Sequence, residues 1–168
     1  SNGAIDDAVD TEAEAFERAT QFLSYLPTNV DEHAPRVMTG DDPARREESL
    51  ISVVPHEPRR VYKMRKIIEA VFDQDSFFEI GKGWGRSIIT GLARLDGRPV
   101  AVFAEDSYIY GGAWTSDGCR KLIRLLDLAS TFHLPVVHLE DCPGFLIGKE
   151  SEEDATIRYG SQVLAALG

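Results

Sequence analysis

Apolar positions recur with a helical period over Thr11–Leu26, where Phe16, Ala19, Leu23 and Leu26 fall on one 3.6-residue stripe. Thr11 followed by Glu14 has the form of a capping box, in which each side chain satisfies a backbone N–H that the first turn leaves without a partner. Pro27 cannot continue a helix, so the spacing predicts one over Thr11–Leu26 with that stripe inward. From Thr28 to Pro58 the period dissolves into Pro, Asp, Glu and Arg, which predicts an extended connector. Its apolar island, Leu50–Val54, is long enough to dock on a surface and too short to build a core. Tyr62–Phe72 is amphipathic again, with Met64, Ile67, Ile68, Val71 and Phe72 on one face. Ser87–Leu95 and Arg98–Ala104 are β-branched, apolar runs joined by Asp96-Gly97, the strongest short-range signal for a hairpin with a type I′ turn. A second helix is expected over Asp117–Phe132, capped by Thr115 or Ser116, with Cys119, Leu122, Leu125, Leu126 and Ala129 inward. A short buried strand at Leu134–Leu139, a loop at Asp141–Gly148 and a last helix at Glu152–Leu167 complete the pattern. This order, without internal repeats, points to a mixed α/β unit with helices packed on a sheet.

Charge sharpens the division between connector and core. The 168 residues carry a formal charge of −10, with 13 acidic and 6 basic residues through Arg60 against 15 and 12 after it. That balance argues against a nucleic-acid or anionic-membrane surface. No run of about 18 apolar residues could span a bilayer, and no secretory signal is written at the start. Two cysteines cannot make a disulfide framework, so a cytoplasmic or mitochondrial-matrix setting is expected. Position 1 is Ser rather than Met, which leads us to expect a processed chain or a piece of a longer one.

The stretch Asp141-Cys142-Pro143-Gly144-Phe145-Leu146-Ile147-Gly148 is the candidate for chemistry. Pro and Gly let the backbone leave a strand sharply and gather amide N–H groups beside a helix start, where they can stabilise a developing oxyanion. A tight strand-to-helix turn without a ligand is the alternative. Gly111-Gly112 precedes the helix at Asp117 in the same way, as a second donor segment or as a hinge. Other candidates are poorer. Gly81–Gly85 is glycine-rich but precedes a strand and lacks dinucleotide-binding spacing. No Walker-type or Gly-x-Ser-x-Gly motif occurs. His138 and Cys142 are too few ligands for zinc, and His138 reads as a packed or hydrogen-bonded histidine. Glu140 and Asp141 are adjacent, a weak acid–base pair. No metal is expected.

Several ordered segments carry a resemblance. Tyr62–Asp73, Ser76–Ile80, Thr90–Val100, Ser116–Asp127, Leu134–Val137 with Asp141–Gly148, and Ile157–Gly160 resemble the C-terminal half of the carboxyltransferase β subunits of biotin-dependent acyl-CoA carboxylases, propionyl-CoA carboxylase above all. Phe22–Pro27 and Asp42-Pro43 are similar to that family's interdomain connector. Ile147 stands where the family loop commonly has Pro, and Tyr159 where it has His.

The resemblance implies a crotonase-like (ClpP/crotonase) α/β fold of repeated strand–strand–helix units, incomplete in this chain. Residues 1–60 would be the end of an N-domain and a connector, and residues 61–168 part of a C-terminal carboxyltransferase domain. The implied reaction moves CO2 from carboxybiotin to the α-carbon of an acyl-CoA, with backbone N–H groups stabilising the oxyanions that develop. Gly144 and Phe145 would supply catalytic amides. Pro143, Gly144, Phe145, Leu146, Gly148, Gly111 and Gly112 would line the biotin side, Pro143 shaping the pocket without donating. Implied partners are a biotin carboxylase with its biotin carboxyl carrier, further copies of the subunit with N-domain facing C-domain, and the acyl-CoA itself. A decarboxylase subunit running the transfer in reverse and a non-catalytic scaffold are the other readings. An acyl-CoA-binding domain is expected upstream and a Gly-Gly-Ala segment downstream, which would leave these residues inactive alone.

Overall fold

The computed structural model describes residues 2–57 and 60–168; Ser1 and the Pro58 end of the expected connector lie outside the described residues. The chain forms α1 (Glu12–Leu23), α2 (Leu50–Val53), α3 (Met64–Val71), β1 (Phe78–Ile80), β2 (Ile88–Leu95), β3 (Arg98–Glu105), α4 (Ser116–Thr131), β4 (Val136–Leu139), α5 (Lys149–Glu153) and α6 (Thr156–Leu167). The strands make one sheet in the order β1-β2-β3-β4, the first two pairings antiparallel and the last parallel.

β2 and β3 pair along their whole length, from Ile88 opposite Glu105 to Leu95 opposite Arg98. Asp96 and Gly97 both have positive φ (50° and 73°), as the expected type I′ turn demands. Alternation along the strands then sorts two cores. Ile88, Leu92, Ala101 and Phe103 face α4, whose Cys119, Leu122, Leu125, Leu126 and Ala129 pack with Val163 of α6. Ile89, Ala93, Val100, Val102 and Ala104 face the other way, onto Met64, Ile68 and Phe72. β2 is buried on both faces because helices cover both.

Five features depart from the sequence pattern. First, α1 ends at Leu23, and its expected inner stripe is largely outside: Phe16 and Leu23 are 65% and 63% exposed. Arg18, Phe22 and Tyr25 face the sheet instead, all three gathered on the ring of Phe78. Second, β1 was not foreseen. Three residues are too few to show an alternation, and pairing with β2 makes the strand. Third, the strand expected over Leu134–Leu139 begins only at Val136 and is a half-buried edge strand, not a buried one, with Val136 40% exposed. Fourth, the last helix is broken: α5 and α6 meet at Ala155, whose φ of 57° stops one helix before the next begins. Fifth, α3 is shorter than the expected Tyr62–Phe72, and Val71 of its expected apolar face is 38% exposed.

The connector is extended, as its composition suggests, but tied down. Arg36 binds the carbonyl and carboxylate of Asp96 at the hairpin tip, and the Val37 N–H donates to Gly97 O at 3.0 Å. Arg45 reaches the carbonyl of Phe72 at 3.0 Å while paired with Asp41. Leu50–Val54 makes only the single-turn α2, with Ile51 85% exposed. Among the described residues no helix is long and apolar enough to cross a membrane.

One core position is electrostatically costly. Lys121 of α4 is 3% exposed, and its Nζ donates to Gly81 O at 3.4 Å. Burial pushes its ammonium down to about 8, against a partial counter-pull from Glu79. Between pH 8 and the unfolded lysine range near 10.4 the unfolded chain binds the extra proton, so stability should rise with pH there. The expected gain is about 3 kcal/mol, since each pKa unit is worth about 1.4 kcal/mol. Urea unfolding across that range should show the slope in the wild type and lose it in Lys121→Met, which should also be the more stable protein at pH 7. Equal slopes in the two would contradict this.

Candidate functional site: the loop after the fourth strand

Beyond Leu139 the chain runs alongside the segment that precedes α4. The Trp114 N–H donates to Gly144 O at 3.0 Å, and the Leu146 N–H donates to Trp114 O at 2.9 Å. These two bonds make a parallel bridge between Trp114 and Phe145. In such a bridge the residue flanked by both bonds turns its own N–H and C=O to the opposite side. Among the described residues the Phe145 N–H accordingly donates no hydrogen bond. Gly144 differs: its N–H donates to the Cys142 sulfur at 3.2 Å. The Phe145 ring packs edge-on against Trp114, with centroids 5.8 Å apart, and lies over Gly160 of α6.

The second glycine segment turns through three consecutive residues of positive φ: Tyr110 (52°), Gly111 (64°) and Gly112 (83°). The Gly112 N–H donates to Ile109 O at 2.9 Å and the Ala113 N–H to Tyr110 O at 3.2 Å. The Gly111 N–H, like that of Phe145, donates to no group among the described residues. Gly111 and Pro143 border one cleft of about 450 Å³, together with Asp141, Cys142, Tyr62 and connector residues such as Val54. Leu146 borders a second cleft of about 230 Å³ beside Tyr110 and the N-terminus of α4. Gly148 precedes α5, and with Gly112, Gly144 and Phe145 it borders neither cleft.

Several residues that shape this region escaped the pattern reading. Glu105, at the end of β3, is 1% exposed and accepts from Trp114 Nε1 (3.0 Å), His138 Nε2 (2.9 Å) and the Asp141 N–H (3.0 Å). Burial works to raise its carboxyl, but the hydrogen bonds from His138, Asp141 and Trp114 outweigh it and hold the group below the usual carboxylate range. His138 is thus the hydrogen-bonded, packed histidine expected, its ring stacked on Phe103 at 3.9 Å. Tyr62 closes the far side. Its hydroxyl donates to the Asp141 carboxylate, its N–H donates to Ser107 Oγ at 3.1 Å, and the Ser107 hydroxyl returns a bond to Tyr62 O at 3.0 Å. Burial first, then the Asp141 carboxylate, push the phenol well above its ordinary range. Glu105 is visible in the sequence as a charge that ends an apolar run; its three partners are not.

Among the described residues no nucleophile–base pair faces the loop, and what they offer a ligand there is backbone N–H groups. The carboxyl transferase domain family matches residues 1–168. The chain belongs to that family. The carboxyltransferase subunit of the propionyl-CoA carboxylase of Haloferax mediterranei is 34% identical over 166 residues, which are 99% of this chain and 32% of that protein. Methylmalonyl-CoA decarboxylase subunit alpha of Veillonella parvula is 33% identical over 165 residues, 98% of this chain and 32% of its own length. A structure of transcarboxylase 12S, described as a hexamer with methylmalonyl-coenzyme A and methylmalonic acid bound, matches with a TM-score of 0.92 at 29% identity. It covers 98% of this chain and 31% of that one. This carboxyl transferase chain therefore spans about a third of the length of the curated relatives it matches. The crotonase-like α/β fold and the resemblance to carboxyltransferase β subunits are both borne out.

Proposed function

We propose that the chain is part of the carboxyltransferase component of a biotin-dependent acyl-CoA carboxylase. The observation that carries this reading is the Phe145 amide, turned away from Trp114 and without a partner among the described residues. Such an amide is a fixed donor for a developing oxyanion and has no proton to gain or lose at neutral pH. Gly111 offers a second free N–H at the cleft bordered by Pro143, and Leu146 lines the other cleft, beside Tyr110. Unpartnered amides suit a biotin ureido oxygen, which needs donors rather than a base; biotin, when bound, supplies the carboxyl group to be moved. Gly144, whose N–H is held by Cys142, contributes the turn that presents Phe145, and Gly148 lets the chain pass into α5. Residues 1–60 are assigned to the end of an N-domain and a connector, and residues 61–168 to part of the C-terminal domain. Partners in this reading are a biotin carboxylase, a biotinylated carrier, an acyl-CoA and other copies of the subunit, in the cytoplasm or the mitochondrial matrix.

The test is an assay of the complete subunit with its biotin carboxylase and carrier, ATP and labelled bicarbonate, against acyl-CoAs of increasing chain length. Acid-stable label should appear in at least one acyl-CoA. Transfer only from a carboxylated acyl-CoA onto the carrier would assign the decarboxylase direction. No transfer either way, by a folded and assembled protein, would leave the scaffold reading.

A further inference from the structure

A carboxylate that is 1% exposed demands an explanation, because removing it from water costs several kcal/mol even when it is paired. Glu105 recovers that cost through three donors, and two of them lie in the segments that present the free amides. Trp114 Nε1 belongs to the residue whose backbone N–H and C=O grip Gly144 and Leu146 on either side of Phe145. The Asp141 N–H belongs to the first residue of the loop itself. The glycine pair converges on the same point: a Cβ on Gly112 would lie 3.0 Å from Glu105 Cβ and 3.1 Å from Asp141 O. At φ 83° that position also suits glycine conformationally, so the segment lies tight against the Glu105 side chain, with little space for a Cβ.

With Glu105 an acceptor only, His138 Nε2 carries the proton, and the ring's stacking on Phe103 fixes the third donor in β4. One buried carboxylate therefore joins the ends of β3 and β4, the turn at Gly112–Trp114 and the start of the loop.

We propose that Glu105 is a positioning residue for carboxyl transfer: through Trp114 and Asp141 it fixes where the Phe145 and Gly111 amides point, without touching either substrate. The proposal rests on the carboxyltransferase reading above. A carboxylate can accept all three donors at once; the isosteric amide of Gln cannot, because its NH2 must face one of them. Misaimed amides weaken binding of the transition state more than binding of the acyl-CoA.

The complete subunit, with its biotin carboxylase and carrier, is compared as wild type, Glu105→Gln and Trp114→Phe. Trp114→Phe keeps an aromatic ring against Phe145 and the backbone bridge, and removes the indole bond to Glu105. We expect Glu105→Gln to lose kcat by roughly 100-fold, the scale of a lost oxyanion-hole donor, with KM for the acyl-CoA nearly unchanged. Trp114→Phe should lose roughly 10-fold with the same split, as one of three bonds is removed. A merely structural role predicts instead that the folded fraction falls while kcat per folded subunit holds, and that result would overturn the proposal. Wild-type kcat in a folded Glu105→Gln would overturn it equally. If Glu105→Gln does not fold, Trp114→Phe decides, and an unchanged kcat there sinks it. Absence of transfer in the wild type is a separate outcome, which removes the carboxyltransferase reading itself.

Discussion

Gly160→Ala should destabilise the protein by about 2 kcal/mol, although alanine is intrinsically the better helix residue by about 1 kcal/mol. Gly160 is buried in the first half of α6, and the ring of Phe145 lies directly on it. A Cβ there would fall 2.2 Å from Phe145 Cε1 and 2.5 Å from Cζ, far inside contact distance. Either α6 moves off α4 or the ring leaves its place against Trp114. The ring is the more mobile of the two, and its departure drags the bridge that orients the Phe145 amide. Urea unfolding should therefore show a lower midpoint at unchanged m, and under the proposed function carboxyl transfer by the complete subunit should fall with it. A stabilised Gly160→Ala would mean that helix propensity outweighs the ring contact, and that Phe145 is not seated on α6.

The second large effect is expected at Arg65. Its guanidinium lies between Glu79 of β1, at 2.5 Å, and Asp106 just after β3, at 2.7 Å. Both carboxylates are mostly buried, with side chains 13% and 11% exposed. Arg65→Met keeps the aliphatic stem but leaves two acids without their cation, which should cost about 3 kcal/mol. Arg65→Lys restores the charge but not the planar fork that spans two carboxylates, so it should recover only part of that loss. Thermal or urea unfolding of the three proteins checks the order. Equal stability of Arg65→Met and the wild type would show that the pairs are screened like ordinary surface bridges.

What the sequence disclosed depended on how far each element's partners lie along the chain. The hairpin's turn was legible to the residue because it needs two positive φ angles and Asp96-Gly97 supplies them. The α4 face was legible because a 16-residue helix repeats its stripe often enough to fix its phase. α1 was read in the wrong phase. Two apolar sets run along it, and the choice between them is made by the ring of Phe78, about 60 residues away. The break at Ala155 carries no glycine or proline to announce it. For the site, composition exposed the Pro-Gly loop and the glycine pair. It could not show that the Gly144 amide is held by Cys142 while the Phe145 amide is free, because Trp114 makes that distinction from 31 positions upstream. Glu105 stayed hidden for the same reason: its partners come from a turn, a loop and a strand that meet only in the folded chain.

The full-length pairing of β2 with β3 also sets an order of assembly. A two-residue turn brings sixteen strand residues together with almost no loop to close, so this ribbon can form on the microsecond scale before anything distant has docked. The contacts of Arg36 and Val37 are made to Asp96 and Gly97, at the tip of that same ribbon. They require closing about 60 residues of chain around a turn that must already exist. The acidic strap thus comes to rest late, on a finished surface, and should be the first part to lift away when the protein begins to open.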